Sequence, residues 1–514
     1  MSYHFLGPEG PLPAVMEEAA DHDPTLWRLL DLVNLFDLSL FEGVYRADGS
    51  GGQPYDPRLM LVSVLWCYQH GIRSPGAIAR ACAAQITLRV LWGDVRTPSR
   101  STVERFIQHH PHGWAKAQSE MLRLCDKTGL VDVSTTATDS TPLAAPAALS
   151  ANRSLARIRL AISECQQALD QIIDQMQQLG LHARAGATTE FIDHGCGELL
   201  YQEHRLRRRL AKLRAAEAIA EQREHARPNR SPPLKHLAAR IAKHHHDLQT
   251  MTTEQQQACD RYHAKVAASN KPRGPAPRPP EQHTRIRDKR ALLDNAVATL
   301  AALTPAPAPA ARANLTAASS RILKGKNTTT WVQGDLLTLT VGIGQIILAA
   351  QLPDAGNDHN TLHPHLAAVA HACEQAGITT PMRHHLADAG YGSEAVFTTP
   401  TPTGGTLYIA VTNEHTQTST NPPTTAATPG RDQMAERLAT PEGTARYRQR
   451  STMVEPVFAH LFRTDRHLHT RGPAKHTEIT AITTAYNANK YLRYATPPPS
   501  PAWVLTNDPH TPTN

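Results

Sequence analysis

The sequence predicts a mixed α/β chain whose sheet is split by a long helical segment and preceded by an all-helical region. Three observations predict it. The first 130 residues place helix-spaced apolar positions between Asp, Ser, Pro and Gly punctuation. Strand-length runs rich in Val, Thr, Ile and Leu occur at 130–145 and again beyond 313, alternating there with helical stretches. Between them, from about 150 to 302, the composition swings to Ala, Leu, Gln, Arg and Glu at helical spacing.

Within the first region, Asp56 is placed to cap a helix whose first turn holds Pro57, whose apolar run is LMLVSVLWCY, and which Gly71 ends. Ser74 and Pro75 restart the pattern, and Ser101 with Glu104 stands at capping-box spacing before VERFIQHH. Three or four short helices with tight turns result. That pattern suits a helix-turn-helix-like reader of DNA and a plain packed helical cluster alike.

The segment LVDVSTTATDSTPLAA reads as a strand ending near Asp139. In the helical region that follows, residues 205–245 hold twelve Lys or Arg against Glu217, Glu221 and Glu224, a stripe able to track a phosphate backbone or to stand as a solvated face. Pro-rich stretches at 271–282 and 304–312 fence it off. TTTWVQGDLLTLTVG and QIILAAQLP then form a hairpin turning at IGQ. A helix through HNTLHPHLAAVAHACEQAG, a short strand before LADAGYG, a helix at SEAVF and the strand TLYIAVT follow, and a Thr/Pro/Asn-rich loop from 413 to about 430 precedes the last helices. The domain reading is 1–128 helical, 129–150 the first part of the sheet, 151–312 a helical insertion, 313–496 the remainder of the α/β core, and 497–514 a disordered tail.

A length of 514 residues fits two to four domains, and 40% hydrophobic with 5% aromatic residues fills globular cores leanly, leaving part of the helix and loop solvated. The net charge of +7 favours polyanionic partners only weakly. The seven Cys (67, 82, 125, 165, 196, 259, 373) are nowhere closer than fifteen positions, so neither a disulfide framework nor a CxxC metal knuckle is written, which fits a reducing cytoplasm. The first twenty residues lack a basic and apolar signal pattern, and no apolar run approaches the roughly 18 residues of a membrane span.

Three acidic residues suit one site: Asp139 near a strand end, Asp388 just past a later strand, and Glu455 in an amphipathic helix. Hard divalent cations take oxygen ligands, and two-metal phosphoryl transfer needs carboxylates that a sheet gathers from distant parts of the chain. Ala387-Asp388-Ala389-Gly390-Tyr391-Gly392 sets small residues beside one carboxylate. Arg448 and Glu455, seven apart, fall near one helix face, while Pro456 implies a helix start or kink there. The run His244–His246 reads as solvated, and His384 with His385 stands close enough in sequence to Asp388 to share its site.

Four blocks of this chain together resemble the DDE transposases of bacterial insertion sequences, in the IS4/IS5-like superfamily and closest to the IS1182 type. They are YDPRLMLVSVLWCYQHGIRSPGAIARAC with PSRSTVERFIQHH; TATDSTPLAAPAALSANRS; LADAGYGS; and MAERLATPEGTARYRQRSTMVEPVFAHL continuing to TRG at 470–472. The resemblance spans about residues 30–494, with the helical insertion the least diagnostic part.

It implies an RNase H-like catalytic core, an N-terminal DNA-binding domain, and Asp139, Asp388 and Glu455 as catalytic and metal-binding residues for Mg²⁺, with Mn²⁺ as a substitute. It further implies Tyr447, Arg448, Arg450, Arg463 and Arg471 as DNA-contacting residues, terminal inverted repeats and target DNA as partners, and a homodimer in the synaptic complex. The expected setting is the cytoplasm, at the nucleoid. The implied chemistry is DNA cleavage and strand transfer by two-metal phosphoryl transfer. Two positions depart from the family pattern. Phe462 stands at its usual lysine slot, with Arg463 adjacent, and Ala317-Ala318-Ser319-Ser320-Arg321 lacks the acidic residue that usually precedes Ser-Arg. A catalytically silent DNA-binding relative and a metal-dependent nuclease without strand transfer stay open as alternatives.

Overall fold

The computed structural model describes residues 23–44, 54–93, 95–178, 196–225, 234–268, 275–302, 311–324, 331–358, 360–411 and 429–495. Most of the loop expected at 413–430, parts of both Pro-rich stretches and the whole expected tail lie outside these residues. Two compact units divide the chain: 1–153, 211–216 and 313–514 form one, and 154–210 with 217–312 the other.

The first unit begins with helices whose caps are local. Asp23 accepts from the Thr25 amide ahead of α1 (Pro24–Asn34), and α2 (Ser39–Glu42) is a single turn. Asp56 accepts from the Arg58 amide at 2.8 Å ahead of α3 (Pro57–Gln69), and Ser74 caps α4 (Pro75–Ala84). After α5 (Ile86–Trp92) comes α6 (Arg100–His109), capped by Ser99 rather than by Ser101, which lies inside the helix. The two serines are two residues apart, and the Ser99 hydroxyl is the one that meets the Thr102 amide. α3 is apolar on every side, and 57 and 59–68 are all buried, so it forms the centre on which the others pack.

α7 (Pro111–Lys127) leads into β1 (Asp132–Ala144), the first strand of a six-stranded mixed sheet. β1 does not end near Asp139 but runs five residues past it. Its pairing with β5 stops at Thr138 and a bridge to His467 forms only at Ala144, so Pro142, which has no N–H to offer, falls in the stretch between and is tolerated. Antiparallel to β1 lies β3 (Trp331–Ile343), whose other edge pairs with β2 (Arg321–Lys324) and β4 (Ile347–Gln351). The β3–β4 turn forms at the expected place, with Gly344 at φ +88° and Gln345 at φ +64° as its two left-handed residues.

The second unit contains four helices among the described residues: α8 (Leu155–Gln178), α9 (Cys196–His225, of which 211–216 group with the first unit), α10 (Leu234–Ala267) and α11 (Thr284–Ala302). Arg159 of α8 meets Glu217 and Glu221 of α9 at 3.1 and 2.6 Å, and Lys289 of α11 meets Asp247 of α10 at 2.7 Å. On α9, Arg205, Arg207, Arg208, Arg209, Lys212 and Arg214 are all exposed. His245 and His246 are exposed on α10, whereas His244 is half-buried with its Nδ1 covered, so the run is solvated only in part.

In the first unit, α12 (Leu362–Ala376) carries the chain from β4 to β5 (His384–Ala387), and α13 (Glu394–Thr398) carries it on to β6 (Thr406–Ile409). Across the sheet the order is β2 or β4, β3, β1, β5, β6, with β5 and β6 parallel to β1. α14 (Pro429–Ala439), α15 (Pro441–Leu461) and α16 (Ala474–Tyr494) complete the unit. One continuous core joins Leu61, Leu65 and Trp114 of the N-terminal helices to Ala137, Leu339 and Leu386 of the sheet and to Val457 and Ile482 of the last helices. The boundary read at residue 128 therefore crosses a shared core.

Pro456 neither starts nor ends a helix. α15 begins fifteen residues earlier, where Thr440 caps it, and continues through the proline. The missing N–H of Pro456 leaves the Thr452 carbonyl without its helical donor, and the side-chain amide of Gln345 supplies one at 3.0 Å. Gln345 is held in turn by Lys490 of α16, also at 3.0 Å.

Candidate active site

The sheet register gathers the first two acidic residues. Thr138 of β1 is paired with Ala387 of β5, so the next residue on each strand, Asp139 and Asp388, emerges side by side on one face. Asp388 stands at the end of β5, where its Oδ1 accepts from the Gly390 amide at 2.9 Å and caps the turn Ala389–Tyr391. Asp139 Oδ1 accepts from the Ser140 amide at 2.7 Å. Its Oδ2 faces the Arg450 guanidinium of α15, with Nη1 at 3.4 Å.

Burial and the neighbouring charges of Asp388 and Asp358 push the Asp139 carboxyl up to about 6, against the opposing pull of the Ser140 amide and Arg450. Arg450 is itself buried, and its guanidinium lies 5.9 Å from the Tyr447 ring centroid, which helps fix its aim.

Glu455 is placed differently. It lies five residues beyond Arg450, about 140° round a straight helix, and it is exposed. Among the described residues no group of three His, Cys, Asp or Glu side chains forms a ready metal cage. The structure thus brings Asp139 and Asp388 together, and it places Glu455 on α15 as an exposed residue, as it does Arg448.

Of the other residues singled out in the sequence, Arg463 and Arg471 are exposed, and Arg471 donates to the Pro146 carbonyl at 2.8 and 3.1 Å. Phe462, at the lysine slot, is a core residue: its ring stacks on Phe458 and carries the Arg73 guanidinium 5.1 Å from its centroid. Arg73 also donates to the carbonyls of Leu461 and Asp465, closing the C-terminal end of α15. His385 points away from the acidic pair, since strand alternation puts it on the opposite face from Asp388. It is buried between the hydroxyls of Thr136 and Thr403, and burial lowers it to about 4.

Sequence reasoning misses Asp358, in the loop between β4 and α12. Its Oδ1 accepts from the Ser140 hydroxyl. It sits in PDAGNDHN, which reads only as a loop, and a single loop carboxylate has no spacing that marks it. Tyr391 is also missed as a polar group. Its side chain is wholly buried, with its hydroxyl beside the Ser140 side chain and in the field of Asp358, Asp139 and Asp388.

Asp139 and Asp388 offer only hard oxygen donors. Mg²⁺ is commonly held by one or two carboxylates with water and substrate phosphates completing its octahedron, so this pair fits such an ion. The crowding that raises Asp139 is what a divalent cation between the carboxylates would relieve.

Residues 15–109 match the family model described as a transposase domain (DUF772), a match that covers the N-terminal helices and supports a transposase role for the chain. No curated protein and no solved structure matches it. No helix among the described residues is long and apolar enough to cross a membrane.

Proposed function

We propose that this protein is a DDE-type transposase of the IS4/IS5-like superfamily, nearest the IS1182 type, which binds the terminal inverted repeats of its element and cuts and joins DNA. One observation carries the reading: Asp139, within β1, and Asp388, just past the end of β5, lie side by side on adjacent parallel strands in a chain that also carries a transposase domain. The mixed sheet, with its antiparallel β1–β3–β4 portion continued by parallel β5 and β6, supports an RNase H-like core.

Asp139 and Asp388 would hold Mg²⁺, which when bound neutralises phosphoryl oxygens and acidifies a water for attack on the phosphodiester. Asp139 presents Oδ2 on the side facing Arg450, and Arg450 offsets part of the negative charge before any cation arrives. This role differs from the phosphate contact that the resemblance assigns to Arg450. Exposed Arg448, Arg463 and Arg471 are available to DNA phosphates, and the exposed cations of α9 add a stripe that neutralises backbone charge without reading bases. Glu455 enters from the resemblance alone. A dimer follows from the two ends that one transposition event must cut.

A silent DNA-binding regulator is the second reading, favoured by Phe462, a buried core residue where the family carries a lysine. Incubating the protein with labelled duplex carrying the repeats that flank its coding sequence, with Mg²⁺ at one stated salt concentration, decides between them. The transposase reading predicts nicked ends and joined products. Nicks without joining would indicate a nuclease, and a bound, uncut duplex would indicate the regulator.

A further inference from the structure

A cavity of about 40 Å³ lies where the C-terminal end of α3 and the turn after it meet the C-terminal end of α15 and one side of α16. Tyr68, Arg73, His460, Arg463, Thr464 and Asn489 are among the side chains that line it. Tyr68 and Arg73 are buried, whereas His460, Arg463 and Thr464 are exposed and form its rim. The volume has room for more than one water-sized group.

Two buried polar groups of this lining have nothing to bond. The Tyr68 hydroxyl and Arg73 Nε are covered from solvent and without a hydrogen-bond partner among the described residues. The η nitrogens of Arg73 are taken by the carbonyls of Leu461 and Asp465, which leaves Nε as a donor still to be satisfied. Buried polar groups in proteins nearly always find a partner, so a donor and a hydroxyl left open on one cavity call for an acceptor from outside the chain.

The surrounding charges give the sign of that acceptor. Burial, and then the crowding of Arg493, Arg463, Lys490 and Arg73, hold His460 below its usual value. Two carboxylates act on the buried wall, and both are already engaged. Glu478 accepts from the amides of His469 and Thr470, and Asp465 meets the rings of His467 and His469. An anion with several acceptor oxygens satisfies the open donors and relieves the crowded cations together.

We propose that this cavity is a phosphate-binding pocket, in which the Tyr68 hydroxyl and Arg73 Nε donate to phosphoryl oxygens while Arg463 and His460 close the rim. Its lining includes neither Asp139 nor Asp388, so the inference goes beyond the transposase reading and does not depend on it. A backbone phosphate of DNA and a free phosphate ion present the same oxygens, and the two arms of the test separate them.

The first arm is calorimetric titration of inorganic phosphate into the full chain without DNA, at neutral pH and constant ionic strength set by chloride. Wild type is compared with Tyr68→Phe, Arg463→Gln and, as a control, Lys127→Gln, an exposed cation of α7 outside the cavity. Each variant is first checked for an unchanged melting temperature without phosphate. Tyr68→Phe should weaken phosphate about tenfold and Arg463→Gln about threefold, with Lys127→Gln within about twofold of wild type. No saturable binding by wild type at millimolar phosphate overturns the inference and leaves the buried groups to water. Wild-type affinity in Tyr68→Phe overturns it as well, because the bound ion is then adventitious. Should Tyr68→Phe not fold, Arg463→Gln decides alone, and wild-type affinity in it overturns the inference.

The second arm measures affinity for a duplex that lacks the terminal repeats. A parallel loss in Tyr68→Phe assigns the pocket to a DNA phosphate, and unchanged duplex affinity beside weakened phosphate binding assigns it to the free ion. Phosphate binding by a protein that does not cut DNA would uphold the pocket while the transposase reading fails.

Discussion

Arg450 and Asp139 are 311 residues apart in sequence, yet Nη1 of the one lies 3.4 Å from Oδ2 of the other in a largely buried pocket. The pair links the helix that carries the family's terminal signature to the strand that carries its first acidic residue. Removing one partner of a buried pair leaves the other charge uncompensated, commonly at about 3–5 kcal/mol, so Arg450→Met should destabilise the fold by an amount of that order. It should also raise the Asp139 carboxyl further, since Arg450 is one of the groups holding it down. The acid limb of the pH–rate profile for nicking should accordingly move to higher pH, and Arg450→Lys should restore part of the shift. An unmoved limb would separate Arg450 from Asp139 functionally.

Asp139 itself should cost stability. Its folded-state carboxyl is raised to about 6 from the usual 3.8, so the folded chain binds the proton more tightly and loses stability as pH rises from about 4 to about 6. Relative to wild type, Asp139→Asn should therefore be about 1–3 kcal/mol more favourable to folding at pH 7 than near pH 4, on top of a pH-independent cost for the Arg450 charge it leaves unpaired, while abolishing activity. Chemical denaturation at the two pH values checks this, and equal effects at both would contradict the charge argument.

The histidines His365 and His385 act with the opposite sign. Burial lowers both to about 4 from 6.5, so the stability they allow is present above pH 6.5 and lost as pH falls through about 4. His365 is held by Gln351 Oε1 at 2.9 Å, and His365→Gln should flatten the loss of stability near pH 5 by about one proton, or ~1.4 kcal/mol per pH unit. Denaturation midpoints between pH 4 and 7 measure it; parallel curves for variant and wild type would remove His365 from the acid response.

Gln345 is expected to matter because of Pro456. Gln345→Ala leaves the exposed Thr452 carbonyl to water and should cost about 0.5–1.5 kcal/mol, whereas in a Pro456→Ala background the helix regains its own donor and the same change should cost less. A double-mutant cycle reads the coupling, and additivity within about 0.5 kcal/mol would show that the side-chain amide does not replace the missing helical donor.

The α9 stripe predicts a salt effect. Replacing Arg205, Arg208, Arg209 and Lys212 with Gln should weaken DNA binding similarly across sequences and lower the slope of log K against log salt by roughly one for each phosphate no longer neutralised, up to about four. Titrations at several salt concentrations measure it, and an unchanged slope would make α9 a solvated face.

How far the sequence can be read follows from the range of each interaction. Asp56 and Ser74 are legible as caps because a cap meets an amide two or three residues away. The Ile343-Gly344-Gln345 turn is legible because two left-handed residues favour glycine at one position. Ser101 misleads because Ser99 offers the same hydroxyl two residues earlier. The end of β1 and the helical course through Pro456 are hidden because both are set by neighbours distant in sequence: the loss of β5 beside Pro142 and the amide of Gln345. Asp139 and Asp388 stand out through the blocks that carry them, and Asp388 also through its strand end. Asp358 and the inward aim of Arg450 do not, since nothing local announces either.

The central claim is that Asp139 and Asp388 together make the centre that cuts DNA. Single-turnover nicking of a labelled duplex with the flanking repeats, with Mg²⁺ at one fixed salt concentration, tests it in wild type, Asp139→Asn and Asp388→Asn. The account predicts cleavage by wild type and at least about a thousandfold loss in both variants, with DNA affinity retained. Cleavage at the wild-type rate by either variant, or binding without cleavage by wild type, would contradict it.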